Sequence, residues 1–303
     1  MEMNYQMRKP AEMTMDDLFQ SSGVDGVRAR TELYERVVEG LGRFITSLRE
    51  PNAEILRFPP VTNRSHIEKS GYLHSFPNLL GAVCCLHGSE QEIRAAVDKP
   101  KTQDGWVGAL GPTDLVLTPA ACYPLYPLIA SRGAVPTAGL LFDVAADCFR
   151  REPSRDVDRF QSFRMREFVY AGLPDNVYNF RERWMARAPE IADVLGVKHK
   201  IEVANDPFFG RSGKLMAINQ LEQAAKFEFL LQVRADEKLT ACMSFNYHKD
   251  HFGAKWGLRS ETGNMIHTAC TAFGIDRMAL ALFAAHGLAL QAWPKRTREA
   301  LGL

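Results

Sequence analysis

Apolar positions recur at helical spacing through "DGVRARTELYERVVEGLGRFITSLRE", where Leu33, Val37, Val38, Leu41, Phe44, Ile45 and Leu48 share one face. The pattern predicts an amphipathic helix from about Asp25, and Pro51 marks its end. Residues 1–25 are polar and rich in methionine and read as a loose arm. Short apolar runs broken by Pro and Gly in "PPVTNRSHIEKSGYLHSFPNLLGAVCCLHG" predict a strand and turns. Ser89 and Glu92 have capping-box spacing, which opens a helix at "SEQEIRAAVDK". "TDLVLTPAACYPLYPLIASRG" alternates strand-like and turn-like pieces, and "AGLLFDVAADCFRRE" is apolar up to a cluster of arginines. Further on, "LMAINQLEQAAKFEFLLQV" passes from helical period to strand, "LTACMSFNYH" reads as strand and "GIDRMALALFAAHG" as a Gly-led apolar helix. Strands and helices alternate without regular βαβ punctuation, which predicts an α+β fold. With no repeat or clear linker, the expected organisation is an N-terminal arm and helix over 1–50 and one large domain over 51–303.

Composition narrows the class without deciding it. The chain has 303 residues, 46% apolar and 24% charged, enough for a sizeable core. Its net charge of +1 supplies no overall field for nucleic acid. No run approaches the roughly 18 apolar residues of a membrane span, and the N-terminus has no apolar signal core. The expected compartment is the cytoplasm, where the six cysteines stay reduced. Cys84 and Cys85 sit in an apolar run and read as core residues, and Cys242 reads as a strand residue.

The stretch "FRREPSRDVDRFQSFRMREF", residues 149–168, packs six arginines and four carboxylates between phenylalanines. A solvated charged face is the plain explanation; a site that grips phosphate and stacks a flat base is the sharper one. Two further segments bear on the choice: the aromatic "GYLHSFPNL" from Gly71, and "TAFGIDRMALAL", where a Gly and an Arg open a helix. In this order the three resemble motifs 1, 2 and 3 of class II aminoacyl-tRNA synthetases, seryl-tRNA synthetases above all. The resemblance implies a mostly antiparallel sheet flanked by helices. It implies that Arg150 holds the ATP α-phosphate and the amino-acid carboxylate, and that Glu152 accepts from the adenine amino group. It further implies that Arg164 serves the outer phosphates, Phe168 stacks on the base, and Arg277 is the second phosphate arginine, so that Arg150 and Arg277 are the catalytic pair.

Departures from the seryl pattern refine this picture. Cys122 ends the stretch that recognises the amino acid, Cys270 replaces an Asn before motif 3, and Glu167 stands where Gln is usual. Cys122, Glu167 and Cys270 match the zinc ligands of the methanogen-type seryl enzymes. The resemblance implies Zn2+ with an open fourth position for the substrate amino group. Spacing alone does not show such a site, because the chain has no CxxC. Gly172 replaces a carboxylate that would meet the serine hydroxyl, which favours glycine as substrate and alanine next. Mg2+ is implied with ATP, but "LTACMSFN" carries no acidic ligand for it.

The stretch ahead of Gly71 supplies one long helix and no tRNA-binding extension. The whole chain resembles the amino acid:[carrier protein] ligases, truncated synthetase homologues that load a small amino acid onto the phosphopantetheine thiol of a carrier protein. The implied partners are an acidic phosphopantetheinylated carrier and a second copy of the chain in a homodimer, with no tRNA and no membrane. Arg211 and Lys214, beside Phe208 and Phe209, are candidate docking residues for the carrier. The rivals are a seryl-type synthetase working with a separate tRNA-binding partner and a non-catalytic regulatory paralogue. "GRSGK" lacks P-loop spacing, and "HKDH", His248 to His251, reads as a polar turn.

Overall fold

A computed structural model describes residues 14–98, 105–234 and 238–303, without the side chains of 211, 212, 215, 216, 219 and 222. After a short 3-10 turn (Met15–Leu18), the described residues run through β1 (Phe19–Val24), β2 (Val27–Arg30), α1 (Glu32–Leu48), β3 (Glu54–Arg57), β4 (Val61–Asn63), α2 (Arg64–Lys69) and α3 (Tyr72–Ser75). It continues through β5 (Ala82–Leu86), α4 (Glu90–Val97), β6 (Leu110–Leu117), α5 (Leu125–Ser131), β7 (Leu140–Phe149), β8 (Ser162–Gly172) and α6 (Pro174–Leu195). The last elements are β9 (His199–Val203), α7 (Gly210–Glu222), β10 (Lys226–Gln232), β11 (Leu239–Lys249), α8 (His251–Trp256), β12 (His267–Gly274), α9 (Ile275–His286) and α10 (Lys295–Leu301). Among the described residues no helix is long and apolar enough to cross a membrane.

Seven strands form one sheet in the order β3-β7-β8-β12-β11-β10-β9, and β4-β6-β5 form a smaller one. Only β3 and β7 run parallel in the large sheet; its other pairs are antiparallel. The α+β expectation holds in this form. β12 lies at the centre and is buried on both faces, so its residues are apolar or small almost throughout. One face of the sheet packs against α1, α6 and α9, and the other against α5 and α8. α9 is buried nearly all round, as its uninterrupted apolar sequence requires.

The amphipathic helix begins later than its periodicity suggests. Asp25 and Gly26 form a two-residue hairpin loop, with Val24 paired to Val27 and Gly26 at φ +76°. Strand β2 therefore takes up residues that helical spacing alone assigned to α1. The predicted capping box is present, with Ser89 and Glu92 satisfying each other's backbone amides at the start of α4. Cys84 and Cys85 are exposed on β5 rather than in a core, because β5 is an edge strand of the small sheet. Cys242 is buried in β11.

A buried ion pair ties the sheet to α1. Arg166 on β8 donates to Asp143 on β7 at 2.8 Å, and also to the Gly42 carbonyl and Thr46 Oγ1 of α1, both at 2.9 Å. Asp143 also receives Arg57 and Arg49. Burial works against the Asp143 charge, but the arginine hydrogen bonds outweigh it and hold the carboxyl below its ordinary range. A carboxyl lowered in this way stabilises the fold above the unfolded value of about 4 and loses that contribution as pH falls through its folded value. Asp143→Asn leaves Arg166 buried without its counter-charge, and a loss of about 3–5 kcal/mol is expected at pH 7. Chemical denaturation measured against pH checks this: the gap between wild type and variant should be constant above about pH 5 and shrink below about pH 4.

Candidate active site and metal-binding cluster

Strand alternation builds the site. On the face opposite α1, two transverse rows cross the sheet, one through Lys226, Asn246 and Cys270, the other through Glu228, Ser244, Ala272 and Glu167. These side chains line a cavity of about 610 Å3. Loops close it: Ala120 to Tyr123 after β6, Arg150 to Phe160 between β7 and β8, and Asp206 to Phe208 before α7. Phe208 stacks on Phe76 at 5.2 Å, and the Phe209 amide donates to the Ser75 carbonyl, which fixes the last of these loops against α3.

The cavity gathers Cys122, Glu167 and Cys270, all buried, with their ligand atoms within 4.8 Å of one another. Ligand atoms of a tetrahedral zinc stand roughly 3–4 Å apart, so two sulfurs and a carboxylate at this spacing fit such an ion with little movement. The Cys122 amide donates to Glu167 at 3.0 Å, and Asn246 donates to the Cys270 sulfur at 3.2 Å. His248 Nε2 lies 3.6 Å from that sulfur, and its Nδ1 meets Thr268 Oγ1 at 3.0 Å. Burial raises Glu167; the contact with Cys122, burial and the Glu167 charge raise Cys270. Cys122 is drawn down by Cys270 but raised on balance by burial and Glu167. Without a cation each group favours its neutral form, and a divalent cation inverts that preference. Among the described residues no second group of three such ligands forms.

Two arginines enter the same cavity unpaired with any carboxylate among the described residues. Arg150 Nε donates to the Pro119 carbonyl at 3.1 Å while its guanidinium lies over the Phe163 ring. Arg277 is held by the carbonyls of Asp158 and Ala241, at 3.2 and 3.1 Å. Glu152 lines the cavity with them. Burial lowers Arg277, yet an arginine stays charged at neutral pH.

Four expectations need correction. Phe168 does not face the cavity. It packs in the opposite core, 4.9 Å from Trp184 and 5.3 Å from Phe273, because adjacent residues of a strand point to opposite faces and Glu167 takes the site side. Phe160 and Phe163, from the same stretch, line the cavity instead. Arg164 borders the cavity, but its guanidinium is engaged by Asp276 and Glu35. Gly172 has the parity of Phe168 and does not line the cavity; a Cβ there would meet the Tyr170 ring. Lys214 is exposed on α7, and the Arg211 side chain lies outside the described residues. The expected polar turn at "HKDH" is instead the end of β11 and the start of α8, with His248 half-buried beside the cluster. The polar residues Ser244, Asn246 and His248 recur with period two, the sequence signal that these side chains share a face.

No protein-family model matches the chain. Among solved structures it resembles the seryl-tRNA synthetase of M. kandleri in complex with A. aeolicus tRNASec, with a TM-score of 0.80 at 21% identity, over 95% of this chain and 58% of that one. A seryl-tRNA synthetase of Pyrococcus horikoshii complexed with ATP matches with a TM-score of 0.66 at 17% identity, again over 58% of its length. The fold is therefore that of a class II seryl-tRNA synthetase catalytic domain. In sequence, a type-2 serine–tRNA ligase of Methanopyrus kandleri is 26% identical over 89% of this chain and 53% of its own. Amino acid–[acyl-carrier-protein] ligases 1 and 2 of Bradyrhizobium diazoefficiens are each 57% identical, over 98% and 97% of this chain and 91% and 88% of theirs. The chain belongs to the amino acid–[acyl-carrier-protein] ligase family and is a ligase.

The partition of β8 has a measurable consequence. Phe168→Ala empties a site between two large rings and should cost about 3–5 kcal/mol. Phe163→Ala, at a half-buried cavity wall, should cost less than half as much. Equilibrium denaturation of the two variants compares them; equal losses would place both rings in the core.

Proposed function

We propose that this ligase activates glycine, with alanine next, as an aminoacyl adenylate and transfers it to the phosphopantetheine thiol of an acidic carrier protein. The observation that carries the proposal is that one cavity holds both the unpaired arginines Arg150 and Arg277 and the cluster Cys122, Glu167 and Cys270. The first half-reaction joins a carboxylate oxygen of the amino acid to the α-phosphorus of ATP and releases pyrophosphate. Arg150 grips the carboxylate and the α-phosphate, and Arg277 the remaining phosphate charge, each already oriented by backbone carbonyls. Glu152 is assigned to the adenine amino group. Phe160 and Phe163 replace Phe168 as the rings offered to the base, and Arg164 is left to position β8 against α9.

Zinc bound by Cys122, Glu167 and Cys270 would supply an electrophilic site for the free amino group of the substrate. Magnesium would arrive with the phosphates of ATP, as is usual for an ion that keeps few protein ligands. In the second half-reaction the carrier's thiol sulfur bonds to the acyl carbon, AMP leaves with the former carboxylate oxygen, and the thiol proton is released. The nucleophile belongs to the partner, so no cysteine of this chain attacks.

The preference for a small substrate rests on the walls beside the cluster, not on Gly172. Tyr123 and Phe252 meet edge to face at 5.6 Å there, with Asn246 and His248 alongside. Lys214 and Arg211 are proposed to meet the carrier, and the enzyme is proposed to act as a homodimer. Pyrophosphate exchange across the amino acids, followed by labelling of carrier and of tRNA, tests the proposal. Glycine should exchange fastest and alanine about 10- to 200-fold more slowly, the discrimination available from one methyl group. Labelled glycine should attach to the phosphopantetheinylated carrier through a hydroxylamine-labile bond, and not to the carrier without its prosthetic group. Lys214→Glu should slow transfer more than exchange. A preference for serine, or charging of tRNA with no label on the carrier, would overturn the proposal.

A further inference from the structure

One buried polar group at the cavity has no hydrogen-bond partner among the described residues. Tyr72, on the short helix α3, is 3% exposed and lines the cavity, yet its hydroxyl finds no hydrogen bond among the described residues. Its ring is clamped by Phe76 at 5.1 Å and by Tyr123, edge to face, at 5.4 Å, so the hydroxyl cannot swing away to water. Buried hydroxyls are nearly always hydrogen-bonded, and an orphan at a cavity wall points to a partner that arrives with the ligand.

The surroundings say what kind of partner. Arg150 lines the same cavity as Tyr72, and the two influence each other's charge. Burial, only partly offset by Arg150, pushes the phenol up to about 12. It is therefore protonated at neutral pH and offers an O–H in the same cavity as a guanidinium that has no carboxylate partner among the described residues. A donor and a cation that line the same cavity suit an oxyanion.

We propose that the Tyr72 hydroxyl donates a hydrogen bond to the oxyanion gripped by Arg150, which makes Tyr72 a substrate-contacting residue of adenylate formation. This rests on the activity proposed above. The contact adds a second, rigidly placed donor to the charge that develops as the carboxylate attacks the α-phosphorus. It also explains why α3 and the loop carrying Phe208 are locked together by ring stacking: that contact supports Phe76, which supports Tyr72.

Tyr72→Phe removes only the orphan hydroxyl. The variant without substrates should melt no lower than wild type, because no internal hydrogen bond is lost. Glycine-dependent pyrophosphate exchange should fall about 10- to 100-fold in kcat, the usual effect of removing one donor to a developing charge, with the KM for ATP within about threefold. Exchange at the wild-type rate would overturn the proposal. So would a melting point several degrees lower, since it would show that the hydroxyl has a partner within the protein. Wild-type protein that performs no amino-acid-dependent exchange would instead contradict the proposed activity and is read separately in the same assay.

Discussion

Three donors that prefer to be neutral are buried together at the end of one cavity, and the rest of the site is arranged around that constraint. Cys122, Glu167 and Cys270 come from a loop and two neighbouring strands, and burial alone would keep their protons on. A divalent cation is the simplest charge that lets all three ionise at once. The antiparallel ladder sets the spacing: Cys270 pairs with Asn246 on one side, and Ala272, two residues on, pairs with Glu167 on the other. Asn246 and His248 then brace the Cys270 sulfur from the adjacent strand.

β8 divides the arginine-rich stretch between two tasks. Its odd-numbered residues, among them Phe163 and Glu167, serve the cavity, while Arg164, Arg166 and Phe168 serve the opposite core. Arg166 locks β7 and β8 to α1 through Asp143, and Arg164 joins Asp276 of α9, the residue beside Arg277. Part of the guanidinium density in the sequence is thus structural: it steadies the sheet whose other face holds the reactants. Arg150 and Arg277 alone among these remain free of carboxylates and open to the cavity, among the described residues.

The sequence was most legible where one period ran undisturbed. The apolar face of α1, the uninterrupted apolar run of α9 and the capping box of α4 all follow from spacing. The hairpin before α1 was obscured because the residues of β2 also fit a helical phase, although Asp25-Gly26 is itself a turn signal. The alternation of strand-like and turn-like pieces in "TDLVLTPAACYPLYPLIASRG" hides α5, whose N-cap is Pro124 and whose first turn holds Pro127, where a missing amide is tolerated. For the site, motif spacing led to Arg150, Arg277 and the three cluster residues, but it could not resolve faces. Glu167 and Phe168 are adjacent on one strand and cannot both reach the cavity; parity alone was enough to see this. His248 is legible only through the period-two run it shares with Ser244 and Asn246, and Tyr72 is illegible because its significance lies in a neighbour distant in sequence, an arginine after β7.

The central claim is that the buried cluster holds a metal which receives the amino group of the substrate. X-ray absorption at the zinc edge of the purified enzyme, with and without glycine, tests it most directly. The account predicts about one zinc per chain with two sulfur neighbours near 2.3 Å, and a light-atom shell that changes on adding glycine but not on adding N-acetylglycine, whose amino group is blocked. Active enzyme free of zinc, or a coordination shell indifferent to glycine, would contradict it.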